Sequence, residues 1–296
     1  MSELAKKMGC TYPIIQGALG MVSNAELTAA VAEAGGLGIL AGWNISDACV
    51  LKAKLDKVRS LTGKPFGANL MAMNPKALEL AAMLLDNGIR TFTVSAGNPS
   101  ELVPFLKERG AFVISVTGSV SAAKKAEALG VDAIVAEGTE SGGMQGHHVA
   151  TTMVLVPQVV DAVRVPVLAA GGIADHRGYR AAFALGAQGV QVGTCLVASQ
   201  ECVAHLRYKQ TICEAGDNGT RLINKGRIQS RALWTPLVEK ILAEGGPIDR
   251  SQVTFEQVEA AMIGGDIASH PLPAGQIAGL IRDVKSVRQI IEGMVA

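Results

Sequence analysis

Two glycine-ended stretches hold the clearest chemistry in this chain: Val165-Pro-Val-Leu-Ala-Ala-Gly-Gly-Ile173 and Gly189-Val-Gln-Val-Gly-Thr194. Each closes a run of apolar, largely β-branched residues, so each reads as a strand ending in backbone that no side chain covers. Free N–H groups beside a helix N-terminus attract anions. In an eight-stranded α/β barrel the loops after the seventh and eighth strands are the usual phosphate site. The chemistry expected first is therefore recognition of a phosphorylated ligand.

The other strand ends add little acid–base equipment. They present Gln16-Gly17-Ala18, Asn69, Ser95-Ala96-Gly97-Asn98 and Glu137-Gly138-Thr139. No histidine ends a strand, and neither Ser95 nor Ser141 has the surroundings of a nucleophile elbow. A site of small residues, amides and hydroxyls leaves the reaction to a cofactor. Gly17, Gly142, Gly143, Gly171 and Gly172 would let backbone approach an aromatic ring or a phosphate more closely than a Cβ allows. FMN fits that description, although sugar-phosphate enzymes share the same cradle.

The elements that must position these residues repeat along the chain. Helix-like residues, a glycine and a short apolar strand recur at Glu33-Ala-Gly-Gly-Leu-Gly-Ile39, Asp86-Asn-Gly-Ile-Arg-Thr91, Glu108-Arg-Gly-Ala-Phe-Val113, Ala128-Leu-Gly-Val-Asp-Ala133 and Leu185-Gly-Ala-Gln-Gly-Val190. Each unit reads as a helix capped by a left-handed glycine and followed by a parallel strand. The strands expected are Pro13–Gly17, Gly36–Leu40, Phe66–Leu70, Thr91–Ser95, Phe112–Val116, Ala133–Glu137, Val165–Ala170 and Val190–Thr194. That is the number of a (β/α)₈ TIM barrel. A doubly wound open sheet is the alternative, but it places its phosphate loop after the first strand. Residues 200–273 are more polar and lack strand alternation, so they read as a helical lid or a plain surface insertion after strand eight. The barrel is then 1–199 plus 274–296.

Composition agrees with a single large core. The chain has 296 residues, of which 49% are hydrophobic and only 4% aromatic, and its formal net charge is +1. No basic run marks a nucleic-acid or membrane partner. Five cysteines without a C-x-x-C pair argue against a metal or disulfide framework, and no apolar segment is long enough to span a bilayer. A cytoplasmic protein acting on a small molecule is expected, without a metal.

One further motif narrows the cofactor. Glu137-Gly-Thr-Glu-Ser-Gly-Gly-Met-Gln-Gly146, leading to Thr151-Thr-Met-Val-Leu-Val-Pro-Gln-Val159, resembles the nitronate monooxygenase and enoyl-acyl-carrier-protein reductase II family of FMN-dependent TIM barrels. The resemblance extends through Pro13-Ile-Ile-Gln-Gly17, Gly67-Ala-Asn-Leu70, Ala96-Gly-Asn-Pro99, Ala169-Ala-Gly-Gly-Ile-Ala-Asp175, Val192-Gly-Thr194 and Ala274-Gly-Gln-Ile-Ala-Gly279. It implies a flavin whose phosphate lies on Gly171, Gly172, Gly193 and Thr194, with Ala170 and Gln191 also among the cofactor-binding residues. The ring would then lie near Gly17, Ala18, Asn69, Glu137, Ser141, Gly142 and Gly143. Glu-Ser-Gly-Gly, Thr-Thr-Met and the late Ala-Gly-Gln-Ile-Ala-Gly-Leu look nearer the enoyl reductase branch. That branch implies NADH or NADPH as co-substrate, hydride addition to the β-carbon of an enoyl thioester, and a small-molecule or acyl-carrier-protein-linked substrate, with a homodimer left open. The alternatives are oxidation of alkyl nitronates with O2 and a flavin-free barrel binding a phosphorylated metabolite.

The sequence also departs from the family. The Gly-Gly pair is usually followed by a histidine that looks catalytic or substrate-orienting, and here that position is Met144. A thioether moves no proton. His147 and His148 follow, and either one of them, with His147 the candidate catalytic residue, replaces the missing imidazole or both are solvated loop residues. Reduction of an enoyl thioester survives the change more easily, because an amide, a backbone N–H or water can serve its carbonyl and its α-carbon. Asn69 reads as a ligand to flavin or substrate, with a catalytic role, or as a turn former. Glu137 either meets a flavin edge or caps nearby amides, and Gln16 points inward near the ring or serves the core. Cys195 reads as a small buried apolar residue, Met71, Met73 and Met153 as core or acyl channel, and His270 as a loop residue.

Overall fold

The protein is described by a computed structural model covering residues 2–42, 45, 47–146, 149–225, 228–245 and 253–296. Strands β1 (Ile14–Gln16), β2 (Ile39–Ala41), β3 (Gly67–Met71), β4 (Thr91–Ser95), β5 (Phe112–Thr117), β6 (Ala133–Glu137), β8 (Val167–Ala170) and β9 (Gly189–Val192) form one parallel sheet in the order β1-β9-β8-β6-β5-β4-β3-β2. The sheet closes on itself where Leu37, just before β2, bridges Ile15 of β1, with Gln16 N donating to Leu37 O at 3.0 Å. All eight expected strands are present, and the fold is a TIM barrel. The glycine that ends each helix of the repeated phrase has φ between 73° and 93°, which explains why that residue marks every helix-to-strand turn.

Side-chain alternation divides the core into two layers. Outside the barrel wall, Ile14, Ala68, Leu70, Phe92, Val94, Ile134, Ala136, Ala169, Val190 and Val192 pack against the helices. Inside, Ile15, Ile39, Ile114, Val135, Leu168 and Ala170 pack together. The helix Glu3–Met8 supplies Leu4, Ala5 and Met8 to this inner cluster and plugs one end. Ser2 caps that helix, its Oγ accepting from Ala5 N at 3.2 Å. The other end, where the strands terminate, is the mouth.

The segment 200–273 corrects the expectation of a purely helical insertion. It carries helices Leu206–Cys213, Pro236–Ala243 and Phe255–Met262, and also the hairpin β10 (Thr220–Lys225) and β11 (Ile228–Leu233). The hairpin pairs antiparallel with β7 (Gly143–Gln145), which follows β6, as Gln229 to Gln145, Ser230 to Met144 and Arg231 to Gly143. Ser230 and Arg231 are buried beside Ala232 and Leu233, so β11 lacks the apolar-polar alternation that identifies a strand by inspection. Beyond the insertion, the helix Val287–Val295 opens with a Ser286/Gln289 capping box. It packs between the helices Ala25–Glu33 and His176–Ala184. Among the described residues, no helix is long and apolar enough to cross a membrane.

Candidate active site at the barrel mouth

Alternation fixes which strand-end side chains face the barrel interior. On β3, Ala68 and Leu70 point outward, so Asn69 points in; the same parity turns Ser95, Glu137, Ala170 and Gln191 inward. Glu137, Ala170 and Gln191 also share one register layer, Glu137 opposite Ala170 and Ala170 opposite Gln191. The rim therefore brings together one carboxyl, two amides, a hydroxyl and a methyl.

These groups differ in how far the protein satisfies them. Asn69 is buried, and its Nδ2 donates to Thr93 O at 3.2 Å, Thr93 Oγ1 at 3.0 Å and Ser95 Oγ at 3.1 Å. Its Oδ1 takes no hydrogen bond from the described residues. Gln191 is only 8% exposed, yet its amide finds no partner among them. Its Nε2 lies 3.7 Å from where a Cβ on Gly17 would stand. Buried amides are normally satisfied, so these open edges are where a polar, planar ligand would fit. Glu137 is half-buried, and burial pushes its carboxyl up to about 7, with the Ser141 hydroxyl working in the opposite direction.

Gln16 does not belong to this set, which corrects one expectation. It shares the outward face of β1 with Ile14; its Nε2 donates to Ser23 Oγ at 2.9 Å and Ile39 O at 3.0 Å, and its Oε1 accepts from Ile39 N at 3.2 Å. The amide is used up in joining β1 to β2. Ala18 is exposed at the mouth, beside buried Gly17.

The glycine loops pack into a scaffold. Gly171 and Gly172 have φ of 98° and 73°. A Cβ on Gly171 would lie 2.8 Å from Thr152 Oγ1, whereas one on Gly172 would meet nothing nearer than Glu140 Cβ at 3.7 Å. One glycine is thus tightly packed, while the next has only ordinary van der Waals contact with the Glu140 side chain and leaves room beside it for a phosphate. Glu140 caps the helix Thr152–Ala162: its carboxylate accepts from Thr152 N at 2.8 and 2.9 Å and from Thr152 Oγ1 at 3.0 Å. The same hydroxyl lies 3.1 Å from Ala170 O and 3.0 Å from Gly171 O, joining the two loops. Thr152→Val keeps the shape and removes this junction. We expect a loss of about 1–2 kcal/mol, read as a lower urea midpoint at constant slope; an unchanged midpoint would show that the hydroxyl holds nothing.

Several positioning residues were not visible in the sequence. Gln145 Nε2 donates to Thr139 O at 3.1 Å and to Ser141 O. Arg231 Nε donates to the same Thr139 carbonyl at 2.9 Å. The return segment closes the wall, with Gln276 N donating to Glu140 O at 2.8 Å and Gly275 N donating to Thr194 Oγ1 at 2.9 Å. Thr194, expected at the phosphate, therefore already accepts one hydrogen bond from the protein. Gly193 starts a four-residue helix, Thr194–Val197. Met144 lies on β7 opposite Ser230, and Gly142 and Gly143 precede it in the loop that Gln145 holds. His147 and His148 lie outside the described residues. Ala96, at the end of β4, has φ 48° and is the one non-glycine residue with positive φ among those described. Its carbonyl accepts from Met73 N at 2.8 Å, so the strain sits at the site rim.

Comparisons with known proteins agree with this architecture. A family model described as nitronate monooxygenase matches residues 1–87 and 79–296. FabK from Thermotoga maritima superposes with a TM-score of 0.93 at 38% identity, over 100% of this chain and 95% of that one. A nitroalkane oxidase from Streptomyces ansochromogenes gives a TM-score of 0.84 at 27% identity, over 98% and 97% of the two chains. The (3aS,4S,5R,7aS)-5-hydroxy-7a-methyl-1-oxo-octahydro-1H-indene-4-carboxyl-CoA dehydrogenase of Mycobacterium tuberculosis is 32% identical over 99% of this chain and 95% of its own length. Barrel, rim and relatives together define an FMN-dependent oxidoreductase. The flavin-free alternative is thereby set aside. The chain belongs to the nitronate monooxygenase family.

Proposed function

We propose that this protein uses NADH or NADPH to reduce an activated C=C bond, with an enoyl thioester as substrate. The observation that carries the reading is the chemistry of the rim: inward amides, a hydroxyl and a carboxyl, with a thioether at Met144 where the family places an imidazole. An enoyl thioester asks for hydrogen bonds at its carbonyl and a proton at its α-carbon, and amides and acids provide both. The 38% identity to FabK, against 27% to the nitroalkane oxidase, supports the same side.

In this reading Gly171 and Gly172, with Gly193 and Thr194, hold the flavin phosphate. Gly17, Ala18, Asn69, Glu137, Ser141, Gly142 and Gly143 surround its ring, and the amides of Asn69 and Gln191 meet its polar edge. Bound FMN supplies the two-electron hydride chemistry that no side chain of the rim can perform. The unpaired cysteines suit a reducing cytoplasm, and the thioester carrier is coenzyme A or an acyl carrier protein.

The test is the visible spectrum of the purified protein under anaerobic conditions, with NADH and then NADPH added, followed by a short enoyl thioester. Flavin absorbance that bleaches with nicotinamide and returns with the thioester is the expected result. Bound flavin that ignores both nicotinamides, with O2 consumed on alkyl nitronates, would replace this reading with nitronate oxidation, which the matching family model favours.

A further inference from the structure

We propose that Glu137 is the proton donor of this reduction, delivering to the α-carbon the proton that accompanies hydride addition at the β-carbon. The inference rests on the proposed reductase function and adds a residue role to it. Addition across the C=C bond consumes one hydride and one proton. The hydride is the cofactor's, drawn from NADH or NADPH. The proton leaves the Glu137 carboxyl as the electron pair of the enolate forms the new C–H bond, and the carboxylate is reprotonated from water.

Three observations point to this carboxyl. First, strand parity aims it into the mouth from the last residue of β6, directly above Val135 of the inner apolar cluster. Second, its neighbours leave room for a ligand: Ala170 is its register partner on β8, and Gly118 lies on the β5 side, where an added Cβ would be 3.8 Å from Glu137 O. Third, the rest of the described rim holds no competing acid. The groups facing Glu137 are Asn69 from β3, Ser95 from β4, Val116 from β5, Ala170 from β8, Gln191 from β9 and Ser141 from its own loop, and none is charged. Glu140 is bound to Thr152, and Arg231 is bound to Thr139 O and Thr220 Oγ1.

The electrostatics agree with the geometry. Burial without a cationic partner favours the neutral acid, and a carboxyl pushed up to about 7 keeps its proton in about half of the molecules at neutral pH, where an ordinary carboxyl has lost it. Such a group matches its proton affinity to the working pH, as general acids do. Its effect on stability has a definite sign. Between the ordinary carboxylate range and about pH 7 the folded state holds a proton that the unfolded state has lost, so stability falls as pH rises through that window.

The experiment compares wild-type holoenzyme with Glu137→Gln, Glu137→Asp, His147→Ala and His148→Ala. With saturating enoyl thioester, wild-type kcat should fall about tenfold per pH unit above about pH 7. Glu137→Gln should lose about 100-fold or more in kcat and its pH dependence, while flavin reduction by the nicotinamide persists. Glu137→Asp should keep a falling alkaline limb. Independently of turnover, the Tm of the wild type relative to Glu137→Gln should decline between about pH 5 and pH 7. A Glu137→Gln enzyme with the wild-type profile, or a profile that disappears only in a histidine variant, overturns the role of Glu137 alone. A wild type that reduces no enoyl thioester overturns the function and this role with it.

Discussion

Gly172→Asp should purify without its flavin, with FMN affinity reduced about 100-fold or more, which corresponds to roughly 2.7 kcal/mol of binding free energy. The structure separates the causes. A Cβ at 172 meets only Glu140 Cβ at 3.7 Å and Cγ at 3.9 Å, so steric conflict with the protein is small. The left-handed backbone, φ 73°, costs any non-glycine residue about 1 kcal/mol. Gly172→Ala incurs that cost alone and should keep most of its flavin. Asp adds a charge in the space assigned to the phosphate, and two like charges about 5 Å apart repel by about 3 kcal/mol at an effective dielectric of about 20. Equilibrium dialysis of FMN against both variants checks the difference. Stoichiometric flavin in Gly172→Asp would move the phosphate away from the loop after β8.

The barrel and the ring of strand ends were legible because both obey local rules. Parallel strands buried on both faces need continuous apolar runs, and each helix before them stops at a glycine that tolerates positive φ. Together these set all eight strands and hence the rim residues. Parity is subtler, as Gln16 shows. A polar residue at a strand end invites an inward, ligand-facing assignment, but here Ser23 and the Ile39 backbone satisfy it in the outer layer. Strand β7 was not legible at all. Gly143-Met-Gln145 is extended because it pairs with Gln229–Arg231, far away in the sequence, and no local pattern announces a partner at that distance. For the same reason Arg231 and Gln145 gave no signal, although both converge on the carbonyl of Thr139. Glu140 stood inside the recognised motif, yet its role as the cap of Thr152 depends on a fold-level contact.

Gly142→Ala tests whether the return from the insertion is part of the site wall. A Cβ at 142 would stand 2.5 Å from Ala274 C and 2.6 Å from Gly275 N, and both are backbone atoms. Backbone cannot rotate away as a side-chain tip can, so the loop and the return segment must separate. The opposing residue is equally constrained, since a Cβ on Gly275 would lie 2.6 Å from Glu140 O. Separation would break the bonds from Gln276 N to Glu140 O and from Gly275 N to Thr194 Oγ1. It would also disturb Pro273, whose carbonyl accepts from the buried Tyr208 hydroxyl. Overpacking of this kind costs about 1–3 kcal/mol, and the lost hydrogen bonds add about 1 kcal/mol each. We therefore expect Gly142→Ala to lose about 3–5 kcal/mol of stability and to bind FMN weakly even below its melting transition. The second effect is the informative one. A variant that melts early but binds flavin with wild-type affinity while folded would show that residues 273–276 brace the barrel without shaping the site. Joint loss of stability and affinity would show that the insertion, through its return segment, completes the wall against which the flavin ring lies.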